Sequence, residues 1–412
     1  MKMNRTLGLL YFGLAAQFSL AQGPLTPPAP PGPTMKTLDQ TEPRTAIGIL
    51  PYVITASGSY YLTANLVGVS GQDGIIVAAD NVTIDLNGFT LSGANGTGTG
   101  IAISGSHSHL TAFNGGVRNW RDGLSWPCCG AYRVSHLTCA FNQNNGITVG
   151  SDSVVENCNL DSNGGVGIQA AGANNLLTAN TVVGSGSHGI VVGDFGKVMN
   201  CSVRNPGGIG IQVNGTNGDI VCDGVVNPGQ AGISVGDNSA VRWCNIIGSS
   251  GVGFQGGVFV TADWNTCRSG KTHGFVMANN AIIRNCTADS NAGDGFQAGA
   301  GSSFFANLAR KNTGRGALLG DSSEVHNSSF FANTSHGLQI GSKSLVAGNA
   351  LLGNGAGGTG SGLVLTGSGN QVRQNSASGN ATSNYAGNLQ TSDTGPVGSA
   401  ASASSAWANL QF

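Results

Sequence analysis

The chain has 412 residues, a formal net charge of −1, 68 glycines and only 9% charged residues, while 40% of its residues are apolar. A typical globular domain carries about 25% charged residues, and a disordered chain contains far fewer apolar ones, so neither class fits this composition. The near-zero charge and the absence of a basic stripe argue against nucleic acid as a partner. A glycine-rich chain with this much Val, Ile and Leu indicates short strands joined by many turns.

The first 35 residues have the composition of an export signal and a linker. Lys2 and Arg5 precede the apolar run "TLGLLYFGLAAQFSL", and Ser19-Leu20-Ala21 fits a small-x-small cleavage site. A buried amino-terminal helix is the simpler alternative, but the following "QGPLTPPAPPGP" is too proline-rich to pack against it. We therefore predict a signal peptide at 1–21, a Pro-rich linker at 22–35, and a secreted, periplasmic or cell-surface protein. No later run reaches the roughly 18 apolar residues of a membrane-spanning helix.

A repeat of about 21 residues begins after a predicted amino-terminal cap at 36–73. Each unit starts at a glycine, and the series is Gly74, Gly100, Gly123, Gly146, Gly167, Gly189, Gly210, Gly232, Gly253, Gly274, Gly295, Gly316, Gly337 and Gly362. Self-similarity at this period is typical of a solenoid. Within a unit, apolar residues occur 1, 3, 9, 12 and 14 positions after the glycine, as in Phe275, Met277, Ile283, Cys286 and Ala288. Paired alternation of this kind predicts three short strands per coil and no helix.

The sequence thus predicts an all-β, right-handed parallel β-helix of about fourteen coils over residues 36–380, with a carboxy-terminal cap or tail at 381–412. Residues at one repeat position should stack on their counterparts in the next coil. The cysteines twelve positions after the glycine are expected to form a column of buried free thiols: Cys158, Cys201, Cys222, Cys244 and Cys286. A disulfide within this column is not expected because side chains in register on parallel strands point alongside each other. The state of the adjacent pair Cys128-Cys129 is left open.

The segments "GSYYLTANL" (Gly58–Leu66) and "ADNVTIDLNGFTLSG" (Ala79–Gly93), with the recurring "GI.V…NC" pattern, resemble a known protein group. The group is the secreted bacterial right-handed parallel β-helix repeat proteins of the pectin-lyase-like superfamily, similar to NosD-type and carbohydrate-binding or sugar-hydrolase modules. The resemblance covers roughly residues 36–380 and implies the fold. It does not imply one reaction, since such proteins include lyases, hydrolases, epimerases and adhesins. In this group the Asp85 position of "IDLNGF" implies a residue that organises turns rather than a catalyst.

One candidate catalytic group lies immediately before successive repeat glycines. His273, Asp294, Arg315 and His336 are spaced by 21 residues and are expected to stack on one edge. Glycoside hydrolysis needs two suitably spaced carboxyl groups, and this chain contains no Asp-Asp pair and no dense carboxylate cluster. A structural column of ionisable side chains is therefore the simpler interpretation.

A second candidate surface lies ten and eleven positions after the glycine. Arg242, Asp263 and Arg284 are followed in the same column by Phe305 and His326, and Trp243 and Trp264 occupy the neighbouring position. Alternating charges beside indole rings are suited to binding sugars. The simpler interpretation is an exposed ion-pair ladder, each pair of which contributes about 0–1 kcal/mol, beside tryptophans that cover a bend.

These observations favour an extracellular module that binds carbohydrate, with a polysaccharide or cell-envelope glycan as its partner. A polysaccharide lyase or glycoside hydrolase acting on acidic glycans is the alternative enzyme, and a structural or adhesive surface protein is the third hypothesis. No motif for a metal ion is present, the Ca²⁺-binding GGxGxD repeat included, so no cofactor is expected.

Overall fold

The computed structural model describes residues 43–94, 98–389, 393–399 and 405–412. The predicted signal peptide and linker, and residues 36–42 of the predicted cap, lie outside these ranges. The chain divides into Met1–Pro43 and Arg44–Phe412, and everything below concerns the second unit apart from Pro43. Among the described residues, no helix is long and apolar enough to cross a membrane.

The described chain winds into stacked coils whose strands, numbered β1–β48 in chain order, pair in parallel. The first strand of each coil belongs to a sixteen-stranded sheet: β2 (Tyr52–Ile54), β5 (Ile75–Val77), β8 (Thr99–Ile103), β10 (Asp122–Gly130), β12 (Ile147–Ser151), β15 (Ile168–Ala170), β18 (Ile190–Val192), β21 (Ile211–Val213), β24 (Ile233–Val235), β27 (Phe254–Gly256), β30 (Phe275–Met277), β33 (Phe296–Ala298), β36 (Ala317–Leu319), β39 (Leu338–Ile340), β42 (Ser361–Leu365) and β45 (Ser383–Gly387).

The second and third strands form a 32-stranded sheet that bends once in every coil. Strands before the bend are β1 (Thr45–Ile47), β3 (Gly58–Leu62), β6 (Val82–Asp85), β13 (Val154–Glu156), β16 (Leu176–Thr178), β19 (Lys197–Met199), β22 (Asp219–Val221), β25 (Ala240–Arg242), β28 (Thr261–Asp263), β31 (Ile282–Arg284), β34 (Ser303–Phe305), β37 (Glu324–His326), β40 (Leu345–Ala347), β43 (Gln371–Arg373) and β46 (Asp393–Thr394). Strands after it are β4 (Leu66–Val67), β7 (Thr90–Ser92), β14 (Asn159–Asp161), β17 (Thr181–Val183), β20 (Ser202–Arg204), β23 (Gly224–Val226), β26 (Asn245–Ile247), β29 (Thr266–Arg268), β32 (Thr287–Asp289), β35 (Leu308–Arg310), β38 (Ser329–Phe331), β41 (Ala350–Leu352), β44 (Ser376–Ser378), β47 (Val397–Gly398) and β48 (Asn409–Gln411). Two longer strands run through the bend, β9 (Thr111–Arg118) and β11 (Arg133–Ala140).

The predicted all-β solenoid is confirmed, with sixteen coils in the described ranges rather than about fourteen. The two additional coils lie at the ends, where the glycine repeat is not recognisable. Strand β2 pairs in register with β5, and β45 with β42. Beyond the last coil, β48 pairs with β44, so the tail folds back onto the end of the solenoid.

Inward residues stack on like residues and form the core. Phe254, Phe275 and Phe296 lie on consecutive coils with ring centroids 5.8 and 4.7 Å apart. The repeat glycines are needed because a Cβ at Gly274, for example, would lie 2.6 Å from the carbonyl oxygen of Gly295. This distance allows no side chain, which explains why the same residue begins most coils.

The prediction that Cys222 points inward is wrong. Cys158, Cys201, Cys244 and Cys286 are buried as free thiols, but Cys222 is exposed. The coil that begins at Gly210 has one extra residue between β21 and β22, which moves every later residue of that coil by one position. Asp223 therefore takes the inward place between Cys201 and Cys244 on the neighbouring coils.

Candidate functional sites

The structure brings the four candidate catalytic residues together. His273, Asp294, Arg315 and His336 lie on consecutive coils just before the first strand. Arg315 Nη2 is 3.1 Å from Asp294 Oδ2, and His273 Nδ1 is 4.0 Å from the same oxygen. The four side chains thus form one continuous column, as the spacing predicted.

The polar atoms of this column bind the backbone of the following coil. His273 Nδ1 accepts the N–H of Asp294 at 2.9 Å, and Asp294 Oδ1 accepts the N–H of Arg315 at 2.6 Å. His336 Nδ1 accepts the N–H of Ser361 at 3.0 Å. A structural role therefore accounts for one acceptor atom on each of these three side chains.

The same bond recurs where no catalytic group was suspected. Asn145 Oδ1 accepts the N–H of Val166 at 2.8 Å, and His188 Nδ1 accepts the N–H of Ile209 at 2.9 Å. Where this position holds Asn, Asp or His, the side chain accepts a backbone N–H of the next coil, so the bond is a structural feature that does not require a catalytic role. Sequence spacing alone does not distinguish this requirement from a catalytic one.

The contacts of Asp294 favour its ionised form. Burial by itself raises the pKa of Asp294, but hydrogen bonds from Arg315 and from Gln297 outweigh it and hold the pKa below its ordinary value. Gln297 Nε2 donates to Asp294 Oδ2 at 2.8 Å. Burial, with a smaller contribution from the Arg315 charge, lowers the pKa of His336. A carboxylate held in this way is a poor proton donor near neutral pH.

The second predicted group lies at the bend between the second and third strands, where all its members but the buried Asp263 are at least partly exposed. We call it the tryptophan face; it comprises Arg242, Trp243, Asp263, Trp264, Arg284 and His326. Arg284 Nε lies 3.1 Å from Asp263 Oδ2, as the ladder interpretation expects. Arg242 instead pairs with Asp219 of the preceding coil, with 2.6 Å between Nη2 and Oδ1. His326 Nε2 lies 3.9 Å from Glu324 Oε2.

Trp243 and Trp264 occupy adjacent coils and are 54% and 58% exposed. Both have a left-handed backbone, with φ of 56° and 57°. Other coils place asparagine at this position: Asn157, Asn200, Asn285 and Asn327. Asparagine tolerates the left-handed region, whereas a bulky residue there is disfavoured by about 1–2 kcal/mol. The left-handed backbone recurs at the bends of other coils, so the bend does not require tryptophan, and the two indoles present flat apolar surfaces outward on adjacent coils.

A groove that the sequence analysis did not identify lies near the amino-terminal end. Its volume is about 840 Å³, and its lining residues come from β7, β9, β11, β14, β17 and the segments beside them: Gly88, Thr90, Gly115, Gly116, Val117, Arg118, His136, Thr138, Ala140, Phe141, Asn159, Leu160, Asp161 and Val183. We call it the amino-terminal groove.

A four-residue loop, Leu86–Phe89, forms one end of this groove. A Cβ at Gly115 would lie 2.4 Å from Leu86 Cβ and 2.5 Å from the Phe89 carbonyl oxygen, so the loop requires glycine beneath it. The pair Gly115-Gly116 within a strand was the available signal, because glycine inside a strand often marks a close approach of other atoms.

Asp85 holds the loop in place, which is the turn-organising role that the resemblance implied. Its Oδ1 accepts the backbone N–H of Asn87 at 2.7 Å and the Asn114 side-chain amide at 3.0 Å. Its Oδ2 accepts Arg44 Nη1 at 2.9 Å. All these partners belong to the loop or to neighbouring coils.

The comparison with protein families agrees with the coil geometry. A family model described as "Right handed beta helix region" matches residues 167–313. The protein contains a right-handed parallel β-helix. The resemblance recognised in the sequence is therefore confirmed for the fold of this β-helix. No curated protein matches the chain in a sequence comparison.

Several solved structures match the chain at low identity and with TM-scores below 0.5. The A-module of the Azotobacter vinelandii mannuronan C-5 epimerase AlgE4 is 13% identical with a TM-score of 0.37, and the match covers 80% of this chain and 87% of that one. The Dettilon tailspike protein is 11% identical with a TM-score of 0.39, covering 70% of this chain and 63% of that one. The catalytic domain of a GH87 α-1,3-glucanase is 12% identical with a TM-score of 0.36, covering 80% and 66% respectively. At these scores, what the names say about activity is said of those proteins only.

No group of three or more His, Cys, Asp or Glu side chains within the described ranges is arranged to hold a metal ion. His273, Asp294 and His336 accept backbone N–H groups of the next coil, Asp263 pairs with Arg284, and His326 lies beside Glu324.

Proposed function

We propose that the protein is an exported β-helix module that binds glycan chains through its tryptophan face. The observation that carries this proposal is the pair of exposed indoles, Trp243 and Trp264, held on adjacent coils in a backbone conformation that favours asparagine. A flat indole combines a large apolar surface with one N–H donor, which suits the mixed apolar and hydroxyl character of a sugar ring.

The charges around the indoles favour an uncharged glycan. Arg284 is paired with Asp263 of the face and Arg242 with Asp219 beside it, so neither guanidinium is left as an unpaired charge. The paired guanidinium groups of Arg242 and Arg284 remain partly exposed and can donate further hydrogen bonds to hydroxyl groups. We therefore expect retention to depend only weakly on salt concentration, unlike binding that depends on unpaired charges.

Binding without turnover is the form of this function that the side-chain chemistry supports best. Acid–base cleavage of a glycoside needs one carboxyl group that gives up a proton and a second that stays ionised. Asp263 of the tryptophan face and Asp219 beside it both lie against arginines. In the column of Asp294, hydrogen bonds keep the carboxylate ionised. We also propose that no metal ion takes part, so chelation with EDTA should leave retention unchanged.

The test compares retention on glycans between matched variants. The mature protein is run in native gels containing hydroxyethyl cellulose, xylan, alginate or polygalacturonate. Trp243→Asn combined with Trp264→Asn removes both indoles while supplying the residue that other coils use at this bend. We expect at least about a tenfold weaker affinity for the retaining glycan, which corresponds to about 1.4 kcal/mol.

Phe195→Asn is the control because Phe195 is also exposed and left-handed, with φ of 55°, but lies on another bend. It should leave retention unchanged. Equal loss in the control and in the double variant would contradict the role of the tryptophan face, as would the absence of retention on every glycan. New reducing ends, or the absorbance of unsaturated uronates, would contradict binding without turnover.

A further inference from the structure

The amino-terminal groove has the features of a binding site in its own right. His136 lies within β11, and Phe141 directly follows its last residue. Each has a left-handed backbone, with φ of 53° and 56°. Both side chains are exposed. The left-handed backbone is common at the bends of this chain, so the distinguishing feature of this coil is that an imidazole and a phenyl ring border one depression.

Residues with small side chains line the bottom of the groove between His136 and Phe141. In the pairing register, Gly116 lies beside Thr138, and Thr138 beside Asn159. Ala140 lies on the same strand as Thr138, two residues further on. Hydroxyl and amide groups therefore alternate with residues that have almost no side chain, which leaves room for a ligand and polar atoms to orient it.

Two charges of opposite sign lie on either side of Ala140. In the strand register, Ala140 lies beside Arg118 of the preceding coil and beside Asp161 of the following coil. The backbones of Arg118 and Asp161 are therefore two coil spacings, roughly 10 Å, apart. Arg118 Nε donates to Ser92 Oγ at 3.3 Å, and Asp161 Oδ1 accepts from Ser162 Oγ at 2.9 Å. Within the described part of the chain neither charge has an ion-pair partner.

Most described arginines have an acidic partner, whereas no such partner is found in the described ranges for Arg118 or for Arg204, Arg268 and Arg373. Seven arginines each have an acidic partner within 3.1 Å: Arg44, Arg121, Arg133, Arg242, Arg284, Arg310 and Arg315. Arg118 and Asp161 line one groove without forming an ion pair, and the small apolar residue Ala140 lies between them. A ligand lying over Ala140 would contact both.

We infer that the amino-terminal groove binds a short neutral oligosaccharide, as a second site separate from the tryptophan face. The ligand class rests on the proposed function, whereas the site rests on the groove. Hydroxyl groups of one sugar chain can donate to Asp161 and accept from Arg118, while Phe141 and His136 contact the apolar faces of its rings. The opposed charges disfavour a polyanion, which Asp161 repels, as much as a polycation, which Arg118 repels.

The dimensions agree with a ligand of a few sugar units. The volume of about 840 Å³ lies within the usual 300–1,000 Å³ of small-ligand sites. The lining residues run from Thr90 to Val183, which are four coil spacings apart, or roughly 19 Å. A glycan chain longer than this would extend onto the flat outer surface of neighbouring coils.

Calorimetric titration of the full chain with four probes tests the inference: cellotetraose, xylotetraose, maltotetraose and a galacturonate tetramer. We expect at least one neutral tetrasaccharide to bind with one-to-one stoichiometry, and the acidic tetramer to bind more weakly. Phe141→Asn and His136→Asn should each weaken that binding at least about tenfold. Both replacements suit the left-handed backbone, so the unfolding midpoint should stay equal or rise, which separates lost binding from lost folding.

The variant with both tryptophans replaced by asparagine distinguishes this inference from the proposed function. It should bind the tetrasaccharide as the wild type does while losing retention on polymeric glycan. Tetrasaccharide binding that is lost in the tryptophan variant but kept in Phe141→Asn would overturn the groove and leave the tryptophan face supported. If tetrasaccharide binding requires Phe141 but polymer retention does not require the tryptophans, the proposed role of the tryptophan face is wrong and the groove site is supported. Failure of all three neutral probes to bind, or tighter binding of the acidic one, would overturn the inference.

Discussion

Asp223 provides the sharpest test of how the coils stack. It occupies the inward bend position on its coil, with only 2% of its surface exposed. Its Oδ1 accepts the N–H of Cys201 at 2.5 Å, but its Oδ2 is buried and has no hydrogen-bond partner among the described residues. The thiols of Cys201 and Cys244 lie on the coils to either side, and neither supplies a positive charge.

Asparagine occupies the same position on nearby coils without this defect. Asn180 Nδ2 donates to the Val155 carbonyl at 2.8 Å, and Asn265 Nδ2 donates to the Val241 carbonyl at 2.8 Å. Replacement of Asp223 by asparagine therefore keeps the acceptor that binds Cys201 and places a donor where the partnerless oxygen now lies. The variant removes a buried carboxyl group and preserves its shape.

The magnitude follows from the pKa. Burial raises the pKa of Asp223 to about 7, from an ordinary value of 3.8. The folded protein then holds the proton more tightly than the unfolded chain, so stability is full below the unfolded pKa and falls as the pH rises from about 4 to about 7. The free energy of unfolding falls by about 4 kcal/mol across this pH range. Asp223→Asn should therefore raise the free energy of unfolding by about 1 kcal/mol at pH 4, from one added hydrogen bond, and by about 5 kcal/mol at pH 8, where it also avoids the loss of about 4 kcal/mol in the wild type.

Urea denaturation of wild type and variant across pH 4–8 measures this difference, and other titrating groups cancel in the comparison. Because solenoids do not always unfold in one step, the midpoint is compared between the two proteins at each pH. Asn265→Asp is the matched control: it creates the same defect one coil beyond Cys244 and should lower the midpoint increasingly as the pH rises. A difference between wild type and Asp223→Asn that is the same at pH 4 and pH 8 would refute the reasoning.

Three further outcomes follow from the same contacts. Burial lowers the pKa of His336, so the stability of the folded protein should fall as the pH drops below about 6.5. His336→Asn keeps a hydrogen-bond acceptor but does not titrate, so its urea midpoint should depend less on pH in that range. Gly295→Ala would place a Cβ 2.6 Å from a backbone oxygen and should cost about 1–3 kcal/mol in denaturation, whereas Gly224→Ala meets nothing within 4 Å and should change stability by less than about 0.5 kcal/mol. A thiol reagent should modify the exposed Cys129 and Cys222 in the native protein, while the buried thiols react only after denaturation, as mass spectrometry of the labelled peptides would reveal.

The period of the repeat was sufficient to predict most of the architecture. In a solenoid each coil contacts its neighbours, so residues about 21 positions apart become adjacent and a one-dimensional pattern carries three-dimensional information. Phe275 over Phe254 and the column from His273 to His336 follow directly from spacing. The export signal, the linker and the cellular location remain predictions from composition.

Three decisive features depended on the tertiary structure. One extra residue in the turn after β21 exposes Cys222 and buries Asp223, because a shift of one position reverses which side chains point inward. His273 and Asp294 engage the next coil's backbone, and spacing cannot show which atom of a side chain is already bonded. The amino-terminal groove arises where the Leu86–Phe89 loop passes over Gly115, and its lining residues come from coils whose small differences from the repeat are invisible to a periodic pattern. The repeat thus determines which residues stack on each other, while local departures from the repeat determine which side chains are exposed and available to bind a ligand.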